Sequence, residues 1–145
     1  MRALIQRVSR AAVTVDGAPL SAIGDGLLVL VAVGHADTDR EAAWVAAKVA
    51  RLRVFGDAGG RMNLALADVG GEAMVVSQFT LYGDVSRGNR PSFVGAAEPG
   101  HGERLVESVA CGLEELGIAV ARGRFGAHMQ VELVNDGPVT IWIET

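Results

Sequence analysis

The feature that most constrains this fold is Gly137-Pro138, which directly precedes the alternating segment Val139–Ile143. Alternation of inward and outward residues predicts a β-strand with one buried face. Proline has no N–H to give to a β-ladder, so it is tolerated at the first residue of a strand. An X–Pro bond is also the one peptide bond that is held cis at modest cost. The segment therefore predicts a strand that begins directly after a backbone-exposing Gly-Pro turn.

A second segment places polar residues where an apolar strand meets the surface. Ser77-Gln78-Phe79-Thr80-Leu81 follows Ala73–Val76, and we expect one strand over residues 73–81. A buried strand has little use for hydroxyls and an amide, so these residues indicate a site built from backbone groups and hydroxyls. A simpler explanation stays open, in which Ser77 and Thr80 satisfy neighbouring backbone groups at a strand end.

Composition excludes several classes of protein. The 145 residues predict one domain over 1–145, long enough to bury a core. The longest strongly apolar run, Leu27–Val33, is far shorter than the roughly 18 residues that a membrane span needs. The apolar stretch that a secretory signal needs is interrupted near the start by Arg2, Arg7 and Arg10. One cysteine excludes an intrachain disulfide, and we expect a cytoplasmic protein with no membrane association.

The net charge of −4 does not by itself indicate nucleic-acid binding, although a phosphate site needs only a local basic patch. Lys48 is the only lysine among the 13 basic residues. Two explanations for the many arginines stay open together, a genome-wide codon bias and bidentate binding of phosphates.

The order of expected elements predicts a mixed α/β fold of the α+β kind. Thr38–Glu41 matches a capping box at a helix start, and Gly117 matches a helix C-cap. Consecutive strands joined by short turns favour antiparallel or mixed sheets over a doubly wound parallel sheet. We expect helices at 39–52 and 101–116, and strands at 2–8, 11–15, 27–33, 53–55, 73–81, 118–122, 129–134 and 139–144.

The chain has no Gly-x-Ser-x-Gly motif, no His-Glu-x-x-His motif, no glycine-rich phosphate loop and no cysteine pair for zinc. His35, His101 and His128 lie in separate segments without metal-ligand spacing, and positions in a loop, at a helix start and at a strand edge explain them. Cys111 falls in the second expected helix, so we expect a packed thiol and no nucleophile. A hydroxyl without a basic partner is a poor nucleophile. The site would work better by directing N–H groups at a developing oxyanion.

Two segments resemble the signature motifs of D-aminoacyl-tRNA deacylases, namely Ser77–Leu81 and Asn135–Thr140. The resemblance covers essentially the whole chain. It extends to Ile5–Val8, Lys48–Phe55, Gly60–Asn63, Arg87–Phe93 and Phe125–Met129.

This resemblance implies a homodimer with active sites at the subunit interface. It implies hydrolysis of the ester between a D-amino acid, or a glycine mischarged on tRNA-Ala, and the 3′ end of tRNA. It also implies a β-barrel-like pair of sheets flanked by two helices, with no cofactor and no metal. Gly137-Pro138 would form a cis peptide that enters the partner's pocket and rejects L-aminoacyl-tRNA, and Arg7 would hold this segment in place.

The resemblance also assigns roles within the pocket. Phe125 and Met129 would form the walls around the terminal adenosine. We expect attack by water, assisted by the ribose 2′-hydroxyl, with a covalent route through the Thr80 hydroxyl as the alternative. The residues expected on the adenosine and scissile-ester side are Ser77, Gln78, Phe79 and Thr80.

Two positions depart from the family pattern. His128 stands where many members carry Asp, and Tyr82 stands where a smaller residue is common. Neither touches the expected chemistry, so only local tuning such as the pH dependence is affected.

Two rival functions remain. The first is a non-catalytic RNA-binding module that holds a 3′ end in the same pocket. The second is a related deacylase with relaxed chirality that removes small L-amino acids such as alanine. Arg7 together with Val139-Thr140 resembles the D-specific type.

Overall fold

The computed structural model describes all of residues 1–145. Neither α-helix is long and apolar enough to cross a bilayer. Two 3₁₀ helices cover Ala67–Val69 and Phe79–Tyr82. The strands and α-helices in chain order are β1 (Arg2–Val15), β2 (Ala18–Ile23), β3 (Gly26–Ala32), α1 (Asp39–Arg51), β4 (Phe55–Gly56), β5 (Met62–Leu64), β6 (Glu72–Ser77), α2 (Pro99–Glu115), β7 (Val120–Arg122) and β8 (Met129–Glu144).

The long strand β1 organises a six-stranded mixed sheet. It pairs antiparallel with β2 and β3 along one edge and with β8 along the other. Strands β3, β6 and β7 continue the sheet in parallel. The hydroxyl of Ser21 on β2 donates to the carbonyl of Arg122 on β7 at 2.8 Å, so the two ends of the sheet meet in a nearly closed barrel. With the small β4–β5 sheet and two helices, the predicted fold class is confirmed.

Strand β3 is buried on both faces, as its continuous apolar run predicts. Leu27, Val29 and Val31 face the larger core, which the two helices cover. Leu28 faces the smaller core, where it joins Met74 of β6. The sheet therefore lies between two apolar layers, and the ends of its central strands are held rigidly.

The two helix-end signals predicted from the sequence, at the start of α1 and at the end of α2, are both present, but α2 begins two residues before the expected 101. At the start of α1 the Thr38 hydroxyl accepts from Arg40 N at 3.3 Å, and the Glu41 carboxylate accepts from Thr38 N at 2.8 Å, which confirms the capping box. Helix α2 begins at Pro99, because proline suits the first helical position. It ends at Glu115, and Gly117 follows the C-cap residue Leu116 with a φ of +82°, which suits glycine.

Several expected boundaries were wrong. β1 and β8 each extend over both expected segments because they pair with one another on both sides of Arg7, which local sequence does not reveal. The strand expected over 73–81 stops at Ser77, and the chain turns into a 3₁₀ helix. Strands β2 and β5 were missed because both are short and largely exposed.

Cys111 is exposed, so the expectation of a packed thiol was wrong. It lies two residues from both Val109 and Leu113, which are buried. Two residues along an α-helix correspond to a rotation of about 200°, which places Cys111 on the opposite face. Its sulfur instead donates to the Glu107 carboxylate at 3.4 Å, which raises the pKa of the thiol.

The two helices predict a difference between matched leucine substitutions. Leu105→Ala should lower the free energy of unfolding by about 2–5 kcal/mol, because Leu105 is fully buried and its loss leaves a cavity. Leu116→Ala, at a side chain 45% exposed at the end of the same helix, should stay within about 1 kcal/mol. Urea denaturation measures both, and equal losses would contradict this packing.

Candidate active site

The main cavity lies where the end of β6 faces the start of α2 and the β7–β8 connection. Its volume is about 490 Å³. An apolar concavity with a few polar groups is the usual form of a small-molecule site. Its lining combines Ser77, Gln78, Phe79, Phe125 and Met129, which the sequence singled out, with Val31, Ala32, Val33, Val76, Ala96, Ala97, Pro99, Gly102, Val106, Gly126, Ala127, His128 and Val131.

The polar edge of the main cavity is formed where β6 ends. Gln78 N donates to the Val31 carbonyl at 2.7 Å, which closes the last rung of the sheet before the chain turns. The N–H groups of Phe79 and Thr80 follow in the first turn of the 3₁₀ helix and have no acceptor within the chain. Two adjacent backbone donors are thus unpaired within the chain, and one of them belongs to Phe79, which lines the cavity.

Thr80 lies beside the cavity but is not part of its lining. Its hydroxyl accepts a hydrogen bond from the Gln78 side-chain amide. An amide N–H donates and does not remove a proton, so this contact orients the hydroxyl without activating it as a nucleophile.

Phe79 projects from the cavity edge with 55% of its surface exposed. Its ring packs edge to face on Phe93, with centroids 5.1 Å apart and an interplanar angle of 71°. Phe93 therefore fixes the orientation of an exposed ring. Sequence reasoning assigned no role to Phe93, although it lies in a segment that carries the family resemblance.

The opposite wall consists of Phe125 and Met129. A Cβ at Gly102 of α2 would lie 3.4 Å from the Phe125 ring, an ordinary van der Waals distance, so the ring packs close to this point of the helix. The sulfur of Met129 accepts from Arg124 N at 3.3 Å. Both side chains are thus held in place, and the role of Gly102 was not predicted.

A loop of β8 protrudes opposite Arg7. The neighbours of Arg7 on β1 pair with Asn135 and Thr140 of β8, so the intervening residues leave the ladder. We call Asp136–Val139 the Gly-Pro loop. Its Gly137–Pro138 peptide bond is cis, and Gly137 has a φ of +126°.

Side chains on both strands hold the Gly-Pro loop. Arg7 Nε donates to the Asp136 carbonyl at 3.2 Å and lies 3.0 Å from the Asp136 carboxylate. Arg7 Nη1 also donates to the Val54 carbonyl. Asn135 Oδ1 accepts from Val139 N at 2.9 Å, across the base of the loop. The role of Asn135 was not predicted, although an amide beside Gly-Pro is a usable signal for such a contact.

The structure does not bring all the expected site residues together within one chain. Arg7, Gly137 and Pro138 line a separate surface groove with residues of the β4–β5 sheet. No residue is shared between this groove and the main cavity.

The histidines occupy different surroundings. His35 Nε2 lies 2.6 Å from the Val94 carbonyl, and His101 Nε2 lies 2.9 Å from the Asp37 carbonyl at the start of α2. His128 lines the main cavity, which its neighbours Phe125 and Met129 could have indicated. No cluster of three or more histidine, cysteine or acidic side chains is placed to hold a metal ion.

Tyr82 anchors the 3₁₀ helix that carries Phe79 and Thr80. Its ring lies under the Arg2 guanidinium, whose central carbon is 4.3 Å from the ring centroid. Burial, followed by the negative charge of Asp37, raises the pKa of the Tyr82 hydroxyl to about 12.

Comparison with known proteins decides the family. The D-Tyr-tRNA(Tyr) deacylase family model matches residues 4–144. The chain belongs to this family. Membership makes it a deacylase, a hydrolytic enzyme, and confirms the resemblance carried by the two motifs. The D-aminoacyl-tRNA deacylase of Dinoroseobacter shibae is 62% identical over 144 residues, covering 99% of both chains. That of Thermomicrobium roseum is 58% identical and covers 100% of this chain and 94% of its own.

Solved structures share the deacylase fold of this chain. A structure named c-Myc DNA Unwinding Element Binding Protein superposes with a TM-score of 0.93 at 40% identity, covering 100% of this chain and 99% of that one. A probable eukaryotic D-amino acid tRNA deacylase superposes with a TM-score of 0.83 at 16% identity, covering 98% and 97%, which shows the fold alone.

The environment of Tyr82 predicts an unusual titration. The chain has one tyrosine, so phenolate absorbance reports Tyr82 alone, and its midpoint should lie near 12 instead of the ordinary 10. The unfolded chain releases this proton at lower pH than the folded one, so the free energy of unfolding should fall as pH rises above about 10. Tyr82→Phe should lack both the absorbance change and this fall. A midpoint near 10 in the folded protein would contradict the assignment.

Proposed function

We propose that this deacylase hydrolyses the ester between a D-amino acid and the 3′-terminal ribose of tRNA. It also removes glycine mischarged on tRNA-Ala, and spares L-aminoacyl-tRNA, acting as a chiral proofreader in the cytoplasm. The observation that carries the proposal is the main cavity, whose lining includes Ser77, Gln78 and Phe79 of the first family motif and lies beside the unpaired backbone N–H groups of Phe79 and Thr80.

The reaction begins when water attacks the ester carbonyl carbon. The carbonyl oxygen becomes an oxyanion, and the N–H groups of Phe79 and Thr80 are suited to stabilise it by donating hydrogen bonds to it. Each such donor lowers the activation barrier by about 2.7–4 kcal/mol in characterised hydrolases. The ribose 2′-hydroxyl assists the attacking water. Collapse breaks the bond to the 3′ oxygen, which takes up a proton, and leaves the free amino acid and tRNA.

The apolar walls of the cavity suit the terminal adenosine. Phe125 and Met129 offer flat and polarisable surfaces to the base, and Phe79 offers an exposed ring at the edge. Stacking of a base on an aromatic side chain contributes about 1–3 kcal/mol. This arrangement directs the aminoacyl ester towards the polar edge of the cavity.

Chirality is selected by the Gly-Pro loop of one protomer inside the main cavity of its partner. Three observations support this role. The loop protrudes from the sheet, Arg7 and Asn135 hold it, and it lies apart from the cavity of its own chain. Its carbonyl oxygens converge on the substrate ammonium. An L side chain then collides with the backbone, while a D side chain points to solvent.

The homodimer that this mechanism needs is supported by strand β8. Its outer edge has no partner strand within the chain along Met129–Glu144. Val134 and Trp142 on this strand are exposed large apolar residues. Long unpaired edges with apolar side chains are normally covered in stable proteins, and a second copy of this chain would cover this one.

A passive nucleic-acid-binding function is the second candidate. It is favoured by the 40% identity to the structure named c-Myc DNA Unwinding Element Binding Protein. Turnover separates the two functions, because release of D-Tyr from D-Tyr-tRNA with L-Tyr-tRNA spared is not expected of a passive binder. Release of alanine from L-Ala-tRNA would instead indicate the relaxed-chirality deacylase.

Gly137→Ala should impair activity or chiral selection without unfolding the chain. The added Cβ would lie 3.0 Å from Arg7 Nη2 and 3.1 Å from Val139 N, at a φ that L residues rarely adopt. We expect kcat/KM for D-Tyr-tRNA to fall on the order of a hundredfold, as for a displacement of about 1 Å in a positioned site. Deacylation of D-Tyr-tRNA and L-Tyr-tRNA measures the effect.

Gly17→Ala is the matched control for this variant. Gly17 also has a positive φ, in the β1–β2 turn, but nothing lies within 4 Å of its added Cβ. It should keep full activity and selectivity. Equal activity of the two variants towards both substrates would sink the role of the Gly-Pro loop.

Thr80→Ala should retain activity within about tenfold of the wild-type enzyme, since water is the proposed nucleophile. Loss of a covalent nucleophile costs on the order of 10⁶ in kcat. Single-turnover kinetics with D-Tyr-tRNA measures the effect, and intact-protein mass spectrometry of the wild-type enzyme reports any acyl-enzyme. Complete inactivation, or a trapped ester on Thr80, would favour the covalent route.

A further inference from the structure

The cations of helix α1 are distributed unevenly. At its start, Arg40 pairs with Glu41 at 2.9 Å, and Arg104 of α2 pairs with Asp39 at 2.6 Å. Past the middle of the helix the cations have no carboxylate partner. They line a surface groove of about 330 Å³, which we call the basic groove and which consists of Trp44, Ala47, Lys48, Arg51, Leu52 and Arg53.

Neutral groups hold two of these cations in place. The Lys48 ammonium lies 5.2 Å from the centroid of the Trp44 ring, and Trp44 is 42% exposed. Arg53 Nε donates to the Asn63 carbonyl at 2.8 Å. Because these partners carry no formal charge, the groove keeps three positive charges on a chain whose net charge is −4.

We propose that the basic groove binds the phosphate backbone of the tRNA substrate, an inference that rests on the proposed function. Phosphate contacts from lysine and arginine supply most of the sequence-independent affinity for nucleic acids. Lys48 and Arg51 also complement the negative end of the α1 dipole. That role does not account for Arg53, which lies beyond the helix, or for an exposed tryptophan beside the charges.

The position of the basic groove relative to the Gly-Pro loop supports this assignment. The Arg53 side chain donates to the carbonyl of Asn63 on β5. Strand β5 pairs with β4, which begins directly after Val54. The Val54 carbonyl in turn accepts from Arg7, which holds the Gly-Pro loop. The groove and the loop therefore flank the same small sheet. A protomer that inserts its loop into the partner's cavity brings its basic groove to the tRNA bound there.

The test compares a double variant, Lys48→Gln with Arg51→Gln, on two substrates. The substrates are D-Tyr-tRNA and the 3′ D-tyrosyl ester of adenosine, which has no phosphate backbone. We expect KM for D-Tyr-tRNA to rise about tenfold or more with kcat retained, while both constants for the adenosine ester stay unchanged. The slope of log(kcat/KM) against log[salt] for D-Tyr-tRNA should become shallower by about 1 per lost contact.

Two control variants separate charge from other effects. Arg40→Gln removes one charge from the same helix, at a residue already paired with Glu41, and should leave KM for D-Tyr-tRNA unchanged. Lys48→Arg keeps the charge and should keep the affinity. A rise in KM equal for both substrates, or no rise for D-Tyr-tRNA, would overturn the assignment.

Binding of uncharged tRNA, measured by fluorescence anisotropy, tests the groove independently of catalysis. The double variant should bind at least about tenfold more weakly than Arg40→Gln. Equal affinities would overturn the groove assignment even in an active enzyme. Failure of the wild-type protein to hydrolyse either ester would sink the proposed function and leave this binding comparison to decide the groove.

Discussion

The pairing of β1 with β8 on both sides of Arg7 is the constraint on which the candidate site depends. It fixes Asn135 and Thr140 in the ladder, so the Gly-Pro loop must leave the sheet. Pro138 suits this position because it has no N–H to lose from the ladder. Arg7 and Asn135 then satisfy backbone groups at the base of the loop. The loop is therefore held by its neighbours, and two long strands give it a rigid base.

Sequence could predict those parts of the fold whose signals are local. The apolar run of β3, the capping box at Thr38 and the glycine cap at Gly117 each depend on residues within one turn or one strand. The unbroken length of β1 and β8 depends instead on residues far apart in the chain. The barrel closure through Ser21 and Arg122 also joins residues far apart in the chain. No local pattern contains such information.

The residues of the candidate site also divide into those that a local sequence signal indicates and those that it does not. Ser77 and Gln78 were singled out because polar residues at the end of an apolar strand are unusual, and Phe79 because it lies in the same motif. Gly102 of α2 also lines the main cavity, but it was not predicted, because a glycine has no side chain that could indicate a role. The expectation that the Gly-Pro loop serves another protomer came from the family resemblance. The separation of the two grooves within one chain is consistent with it and could not be seen in sequence.

The cations of the basic groove lie apart from the main cavity. Arg122, near the main cavity, is neutralised by Glu107 at 2.9 Å and Glu114 at 2.7 Å, which lowers the pKa of both carboxyl groups. Lys48, Arg51 and Arg53, which have no carboxylate partner, lie in the basic groove at the end of α1 and directly after it. Contacts to phosphates far from the ester bind ground state and transition state alike, so they govern KM. Backbone N–H groups directed at a developing oxyanion act only in the transition state, so they govern kcat. In the proposed arrangement of neutral dipoles at the ester and cations in the basic groove, substitution of the cations therefore changes the affinity for tRNA without altering the chemistry at the ester.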